Sequence, residues 1–287
     1  MRNRIILGTA QFGMDYGISN KKGKINFLEI TKILNYLDKR KINYLETANA
    51  YNLSEFEIGK YYLKSNKKFK VITKYSLSNK LDIFQQYKNS IKNLKYKPQV
   101  IMAHNSKDYL NSKFRSNLFR LKKEFKIKKV GVSIYTPSEF YKIVEVKKPD
   151  ILQVPCNILD KRFLNKDIIE IIKKRKIKLH ARSIFLQGLF FKNKKEIIRK
   201  FKDAKNVLKY LENICKKENL KLWELSLLWV YHKKEINRLI IGVDSEKQIK
   251  KNISLLKKKL KVSLIKQLDE INMNTSNIIK PNLWIEK

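Results

Sequence analysis

Short apolar runs alternate with longer amphipathic stretches along almost the whole chain. Runs at 5–9, 44–46, 71–74, 100–104, 129–133, 151–154, 178–182 and 239–242 predict eight β-strands. Several are apolar nearly throughout, as expected of parallel strands covered on both faces. Between them, apolar residues recur at three- and four-residue steps, as with Ile30, Ile33, Leu34 and Leu37. That spacing predicts helices packed by one face. They fall at 27–39, 54–63, 83–94, 113–124, 137–146, 166–174, a pair at 197–217 and 223–232, and 247–256. Strands and helices alternating in this way predict an α/β fold, a (β/α)8 TIM barrel. The main rival is an open doubly wound sheet, but no Gly-x-Gly-x-x-Gly loop follows any predicted strand.

The rest of the composition narrows this picture. With only 8 Gly and 5 Pro among 287 residues there is no linker-like stretch, so one domain over 1–287 is expected. The tail, 264–287, reads as a short helical piece followed by Asn-rich coil, predicted to pack near the barrel mouth. Cys156 and Cys215 form no disulfide framework and have no metal-ligand spacing, so no metal site is expected. Residues 1–10 faintly resemble a secretory signal, but the apolar run is too short and leads straight into a strand. No segment approaches the ~20 apolar residues of a membrane span. A cytoplasmic protein without membrane insertion is expected.

The formal charge of +39 admits two readings. A basic surface attracts nucleic acid, anionic lipid or a phosphorylated substrate. Lysines here are scattered evenly, at 21–24, 122–129, 173–178 and 257–261 among other places, as on solvated helix faces. A dedicated nucleic-acid site would cluster Arg and interleave aromatics. No specific nucleic-acid partner is therefore expected.

Candidate chemistry sits where predicted strands end. In a (β/α)8 barrel, groups at the C-terminal strand ends converge on one mouth. Glu46 ends the second strand, Tyr51 lies in the loop after it, Lys74 ends the third and His104 the fourth. A free phenol, with a pKa near ~10, is a poor acid at neutral pH, and a nearby ammonium lowers that value. A carboxylate orients the ammonium, and a neutral imidazole can donate to a carbonyl oxygen. The four together suit general acid catalysis of carbonyl reduction, with hydride from a cofactor. Each residue alone has an ordinary reading: Tyr51 is one of 14 tyrosines, and a strand-end His is commonly a structural donor. Lys74 is less easily dismissed, because Lys seldom ends an apolar strand.

Eight motifs in order make the chain resemble the aldo-keto reductase family. LGTAQFG (7–13) is similar to its opening strand. ETANAY (46–51), followed by Ser54, Glu55 and Gly59, is similar to its Asp-Thr-Ala-x-x-Tyr-Gly-x-Ser-Glu signature. Thr73-Lys74, His104-Asn105, GVS (131–133), LQVPCNILD (152–160), RSIFLQGL (182–189) and IGVDSEKQIKKN (241–252) follow. The resemblance implies a catalytic tetrad of Glu46, Tyr51, Lys74 and His104, with Tyr51 donating the proton. It implies a nicotinamide cofactor whose carboxamide meets Ser133 and Gln153. Arg182 would lie where an aromatic often stacks under the nicotinamide ring. Gly242, Ser245, Gln248 and Asn252 would hold the adenosine and its phosphate.

Four departures accompany the resemblance. Glu46 replaces the family's Asp, Asn52 the Gly after the tetrad Tyr, Ile134 the Asn after GVS, and Gln248 the Arg that clasps a 2′-phosphate. Lys247, Lys250 and Lys251 could act there as point charges, and the expectation leans to NADP(H) over NAD(H). The function expected is reduction of a small-molecule aldehyde or ketone, a sugar-derived carbonyl included, by a monomer or weak homodimer. The alternative is a barrel of the same family that binds cofactor and reacts weakly or not at all.

Overall fold

The structure, a computed structural model, describes residues 4–20, 23–274 and 276–284. Met1–Asn3 of the signal-like segment, Lys21 and Lys22 of the first loop, Thr275 and the last three residues of the tail lie outside them. Eight strands form: β1 (Ile5–Gly8), β2 (Tyr44–Glu46), β3 (Lys70–Tyr75), β4 (Val100–Ala103), β5 (Lys129–Ser133), β6 (Ile151–Pro155), β7 (Lys178–Arg182) and β8 (Arg238–Gly242). They pair in sequence order, all parallel, and β8 closes on β1 through Ile5–Leu239 to Gly8–Gly242. The predicted barrel is the observed one.

Strand boundaries differ from the predictions by a residue or two. Thr9 and His104, predicted as strand ends, lie just outside β1 and β4. Their amides still extend the ladder, Thr9 N donating to Glu46 O at 2.9 Å and His104 N to Tyr75 O at 2.8 Å.

Two apolar layers hold the barrel, because successive residues of a strand face opposite sides. One parity turns Ile5, Leu7, Leu45, Val71, Ile101, Val130, Leu152 and Leu179 out under the helices. The other turns Ile6, Ile72, Val100, Met102, Ile151 and Ile240 inward as a separate plug. Tyr44 packs against that plug, and Arg238 stacks on the Tyr44 ring at 3.7 Å.

Helices arise where amphipathic segments meet a good start. Asn26, Asn165 and Ser245 each accept a first-turn amide, while Asp82 with Gln85 and Thr136 with Glu139 form full capping boxes. The helix predicted at 197–217 is in fact two, Lys194–Lys200 and Lys205–Glu218. Phe201 leaves helical geometry, and its buried ring packs on Trp284 of the tail at 5.3 Å. A helix at Val262–Asp269 starts the tail. Trp229 Nε1 donates to Asp269 Oδ1 at 2.8 Å, and Lys161, in the loop after β6, donates to the carbonyls of Leu268 and Ile271. The tail is thereby anchored to the loop after β6 and to the end of helix Leu222–His232, which leads into β8. Among the described residues, no helix is long and apolar enough to cross a membrane.

Candidate active site

The inward parity, carried to the C-terminal ends, assembles the mouth. It is the parity of Gly8, Glu46, Lys74, Ser133, Gln153, Arg182 and Gly242. Register aligns Gly8 with both Glu46 and Gly242, Ser133 with Gln153, and Arg182 with Pro155. Residues 107 positions apart consequently touch: Gln153 Nε2 donates to Glu46 Oε1 at 3.2 Å.

Three of the four tetrad candidates converge directly, and the fourth joins through a ring. Glu46 Oε1 and Lys74 Nζ form a buried ion pair. Lys74 Nζ also lies 4.7 Å from the centroid of the Tyr51 ring. The Tyr51 and His104 rings meet edge-to-face at 5.9 Å. Glu46, one methylene longer than the family's Asp, thus reaches its lysine.

Tyr51 is placed by a loop pinned from below. Ser54 Oγ donates to Thr9 O at 2.8 Å and accepts from Thr47 Oγ1 at 3.0 Å. Glu55, buried one residue on, accepts from Thr73 Oγ1 at 2.6 Å and Ser90 Oγ at 2.8 Å. Gly13 closes the seat: a Cβ there would overlap the Tyr51 carbonyl oxygen and the Ser54 nitrogen. Asn52, the residue in place of Gly, has φ 44°, a left-handed geometry that Asn tolerates better than most side chains. That departure therefore keeps the turn.

Electrostatics differ from the simple expectation for a phenol beside an ammonium. Burial pushes the Tyr51 phenol above its ordinary value; Tyr16 adds to this, and among the opposing groups the Arg182 guanidinium stands first. The Lys74 ammonium lies against the ring face. Burial, and then Arg182, push Lys74 well below the usual ammonium range, with the Glu46 carboxylate pulling the other way. His104 is lowered to about 3 by burial first, then Lys74 and Arg182, so its imidazole is neutral at pH 7. The group as it stands is a protonated phenol, a neutral imidazole and a lysine paired with a carboxylate.

Two cavities flank these residues. The larger, with about 830 Å³ of empty space that runs out into open solvent, includes Gly8, Gln11, Tyr16, Glu46, Tyr51, Arg182, Gln187, Gly242 and Gln248 in its lining. The smaller, about 420 Å³, opens on Lys74 and His104 among Asn49, Ser76, Ser78 and Asn79. At the larger one, a Cβ on Gly242 would press on Gln11 Nε2 at 2.9 Å, so the bare backbone keeps that wall open. Segments 14–20 and 183–191 join across its rim, Ile18 N donating to Gln187 O at 3.0 Å.

Remaining candidates divide between cavity and scaffold. Arg182 Nε donates to Ser133 Oγ at 3.3 Å and Nη2 to Ile134 O at 3.1 Å, with the guanidinium 4.1 Å from the Tyr135 ring centroid. Ile134, in place of Asn, is wholly buried. Ser245 Oγ accepts from Gln248 N at 3.3 Å and Gln248 Oε1 accepts from Asp244 N at 2.8 Å. Asn252 is buried farther along that helix. Sequence reasoning missed Gln11, Tyr16, Tyr135 and Gln187 as site residues. Gln11 and Gln187 lay inside quoted motifs; only tertiary contact singles out Tyr16 and Tyr135.

A sequence model of the aldo/keto reductase family matches residues 4–273. The chain belongs to that family, which makes it an oxidoreductase of carbonyl and alcohol chemistry that uses a nicotinamide cofactor. No curated protein matches it. Similar solved structures include the aldo-keto reductase AKR11C1 from Bacillus halodurans in its holo form, with TM-score 0.73, 17% identity, and 95% of this chain and 93% of that one covered. A thermostable aldo-keto reductase, Tm1743, bound to the inhibitor epalrestat, gives 0.71, 18%, 93% and 94%. The glycerol dehydrogenase AKR11B4 from Gluconobacter oxydans gives 0.70, 19%, 93% and 90%. At these identities the likeness is one of fold.

Proposed function

We propose that the protein reduces an aldehyde or ketone to the alcohol, with Tyr51 as the general acid. The observation that carries this reading is the cluster in which the Tyr51 ring contacts Lys74 and His104 while Glu46 holds Lys74. Tyr51 is kept protonated by burial, the state a proton donor requires. His104, neutral, donates through one ring nitrogen to the carbonyl oxygen and orients it. Glu46 fixes the Lys74 amine against the phenol ring. When bound, a nicotinamide cofactor supplies the hydride.

The larger cavity fits such a cofactor. Its amides and hydroxyls from Gln11, Ser19, Gln187 and Gln248 suit a polar dinucleotide. On cofactor choice, the local geometry favours NAD(H), against the lean to NADP(H) drawn from the sequence. Helix N-termini attract phosphate through free amides. At helix Glu246–Leu255, Glu29 Oε1 already accepts from Glu246 N at 2.6 Å, and Ser245 takes the Gln248 amide. Lys250 and Lys251 pair with Glu246 and Glu224. An added 2′-phosphate would meet a carboxylate where it needs a donor.

The reading of a non-reacting barrel draws on Glu46, Asn52 and Ile134; the contact between Glu46 and Lys74 and the turn kept at Asn52 weigh against it, while Ile134 still lacks a carboxamide contact. The test is Tyr51→Phe assayed against a panel of aldehydes, with NADH binding followed by fluorescence. Turnover should vanish while the nucleotide dissociation constant stays within about threefold. Unchanged turnover would sink the assignment.

A further inference from the structure

Arg182 is held firmly at the mouth without a counter-charge. Nε, Nη1 and Nη2 donate to Ser133 Oγ at 3.3 Å, Ser183 Oγ at 3.1 Å and Ile134 O at 3.1 Å, and the plane stacks on Tyr135. Every one of these partners is neutral. Among the described residues, no ion pair includes Arg182. The other ionisable groups lining the cavity besides its phenols are Glu46, engaged by Lys74, and Asp244, engaged by Gln248. A guanidinium carries five N–H donors, so bonding capacity remains.

A half-buried cation loses hydration that an opposite charge normally offsets. Four contacts fix this one in place, and none supplies that charge. A nicotinamide head is uncharged when reduced and cationic when oxidised, so it is not the missing partner either. Tyr51 and Arg182 line the same cavity, which puts an anion at Arg182 on the same molecule as a carbonyl at Tyr51.

We propose that Arg182 is the receptor for an acidic group of the substrate, so that the enzyme prefers carbonyl compounds carrying a carboxylate or a phosphate. This rests on the reductase reading above. Arg182 is also near enough to Tyr51, Lys74 and His104 to lower the proton affinity of all three, and an anion bound to it would relieve that effect. The overall charge of +39 would steer such a substrate inward.

The experiment compares matched substrates with NADH at 0.15 M salt: succinic semialdehyde against butanal, and glyceraldehyde 3-phosphate against glyceraldehyde. The charged member of one pair should be favoured in kcat/KM by roughly 10- to 100-fold, the loss expected for a charge-assisted hydrogen bond. The pair that responds separates carboxylate from phosphate. Arg182→Met should bring that ratio near one, and Arg182→Lys should restore part of it. A wild-type ratio near one in both pairs, or a ratio unchanged in Arg182→Met, overturns the proposal. So does NADH binding that weakens in Arg182→Met by the same factor, because the guanidinium then serves the cofactor's pyrophosphate. If no aldehyde of either kind is reduced, the reductase reading fails by itself, and calorimetry with succinate and inorganic phosphate decides the receptor. Binding that disappears in Arg182→Met keeps it; binding that does not, or none in the wild type, ends it.

Discussion

Replacing Glu46 by Gln removes one charge from the mouth and almost nothing else. The amide has nearly the shape of the carboxylate, and its oxygen can still accept from Gln153 Nε2. Lys74 is left as a cation whose side chain is 1% exposed, with Arg182 as a like charge nearby. Breaking a buried pair by removing one partner costs about 3–5 kcal/mol, because the survivor stays desolvated and uncompensated. The loss is limited by the amine giving up its proton. Burial and Arg182 already press the Lys74 pKa downward, and without Glu46 nothing opposes them. The folded variant then holds fewer protons than the unfolded chain, whose lysine titrates near ~10.4. A depressed folded pKa of this kind makes stability rise with pH, by up to ~1.4 kcal/mol per unit, until the unfolded lysine also titrates. Urea unfolding followed by tryptophan fluorescence at pH 7, 8 and 9 reads the effect. We expect a deficit of about 3–5 kcal/mol at pH 7 that narrows only over the pH range in which Lys74 of the unaltered protein keeps its proton. A deficit under ~1 kcal/mol would refute the charged pair. Glu46→Asp should recover most of the stability and activity, since the charge remains.

Three other outcomes follow from the same geometry. Gly13→Ala should cut turnover at least ~10-fold and destabilise by ~1–3 kcal/mol, because its Cβ displaces the backbone that seats Tyr51; kinetics and thermal unfolding check both. His180, buried and lowered to about 3, stays neutral in the folded protein while its unfolded counterpart binds a proton below ~6.5. Stability is therefore lost as pH falls from ~6.5 towards 3, about 2 kcal/mol by pH 5 from this group. His104, also lowered to about 3, adds a similar amount, so His180→Gln should remove about half of the histidine-linked loss seen in urea titrations at pH 7 and 5. NADH should bind more tightly than NADPH, and Glu29→Gln should improve NADPH relative to NADH by about 3- to 10-fold; tighter NADPH in the unaltered protein would count against the capped helix end.

What was legible in the sequence is what a local period can carry. Alternation along each strand is a statement about two faces, so the run that buries Ile72 inside also fixes that Lys74, two residues on, points into the mouth. Strand ends alone placed Glu46, Lys74 and His104 at the mouth, whereas Ser133, Gln153, Arg182 and Gly242 were named only through the family resemblance, and the observed strands give them the same parity. Phe201 shows where the logic stops. Its helical period continues through 197–217, yet the ring turns out to meet Trp284, and a contact spanning more than eighty residues leaves no trace in a local pattern. Gly13 is similar: a glycine in an opening motif says that a side chain is missing, and only the fold reveals that the Tyr51 loop fills the space. Substitutions read as departures behave in two ways for the same reason. Asn52 and Glu46 replace residues whose tasks, a positive φ and a reach to Lys74, other side chains can perform, and the local geometry is kept. Ile134 and Gln248 replace polar groups by a buried hydrocarbon and a helix cap, so the task itself has moved. Arg182 now bonds the Ile134 carbonyl and the Ser133 hydroxyl, which puts a fixed positive charge where the family pattern would have a neutral amide and ring. The rim is thus conventional on the Tyr51 side and altered on the Arg182 side, and substrate choice is the property that such an alteration changes first.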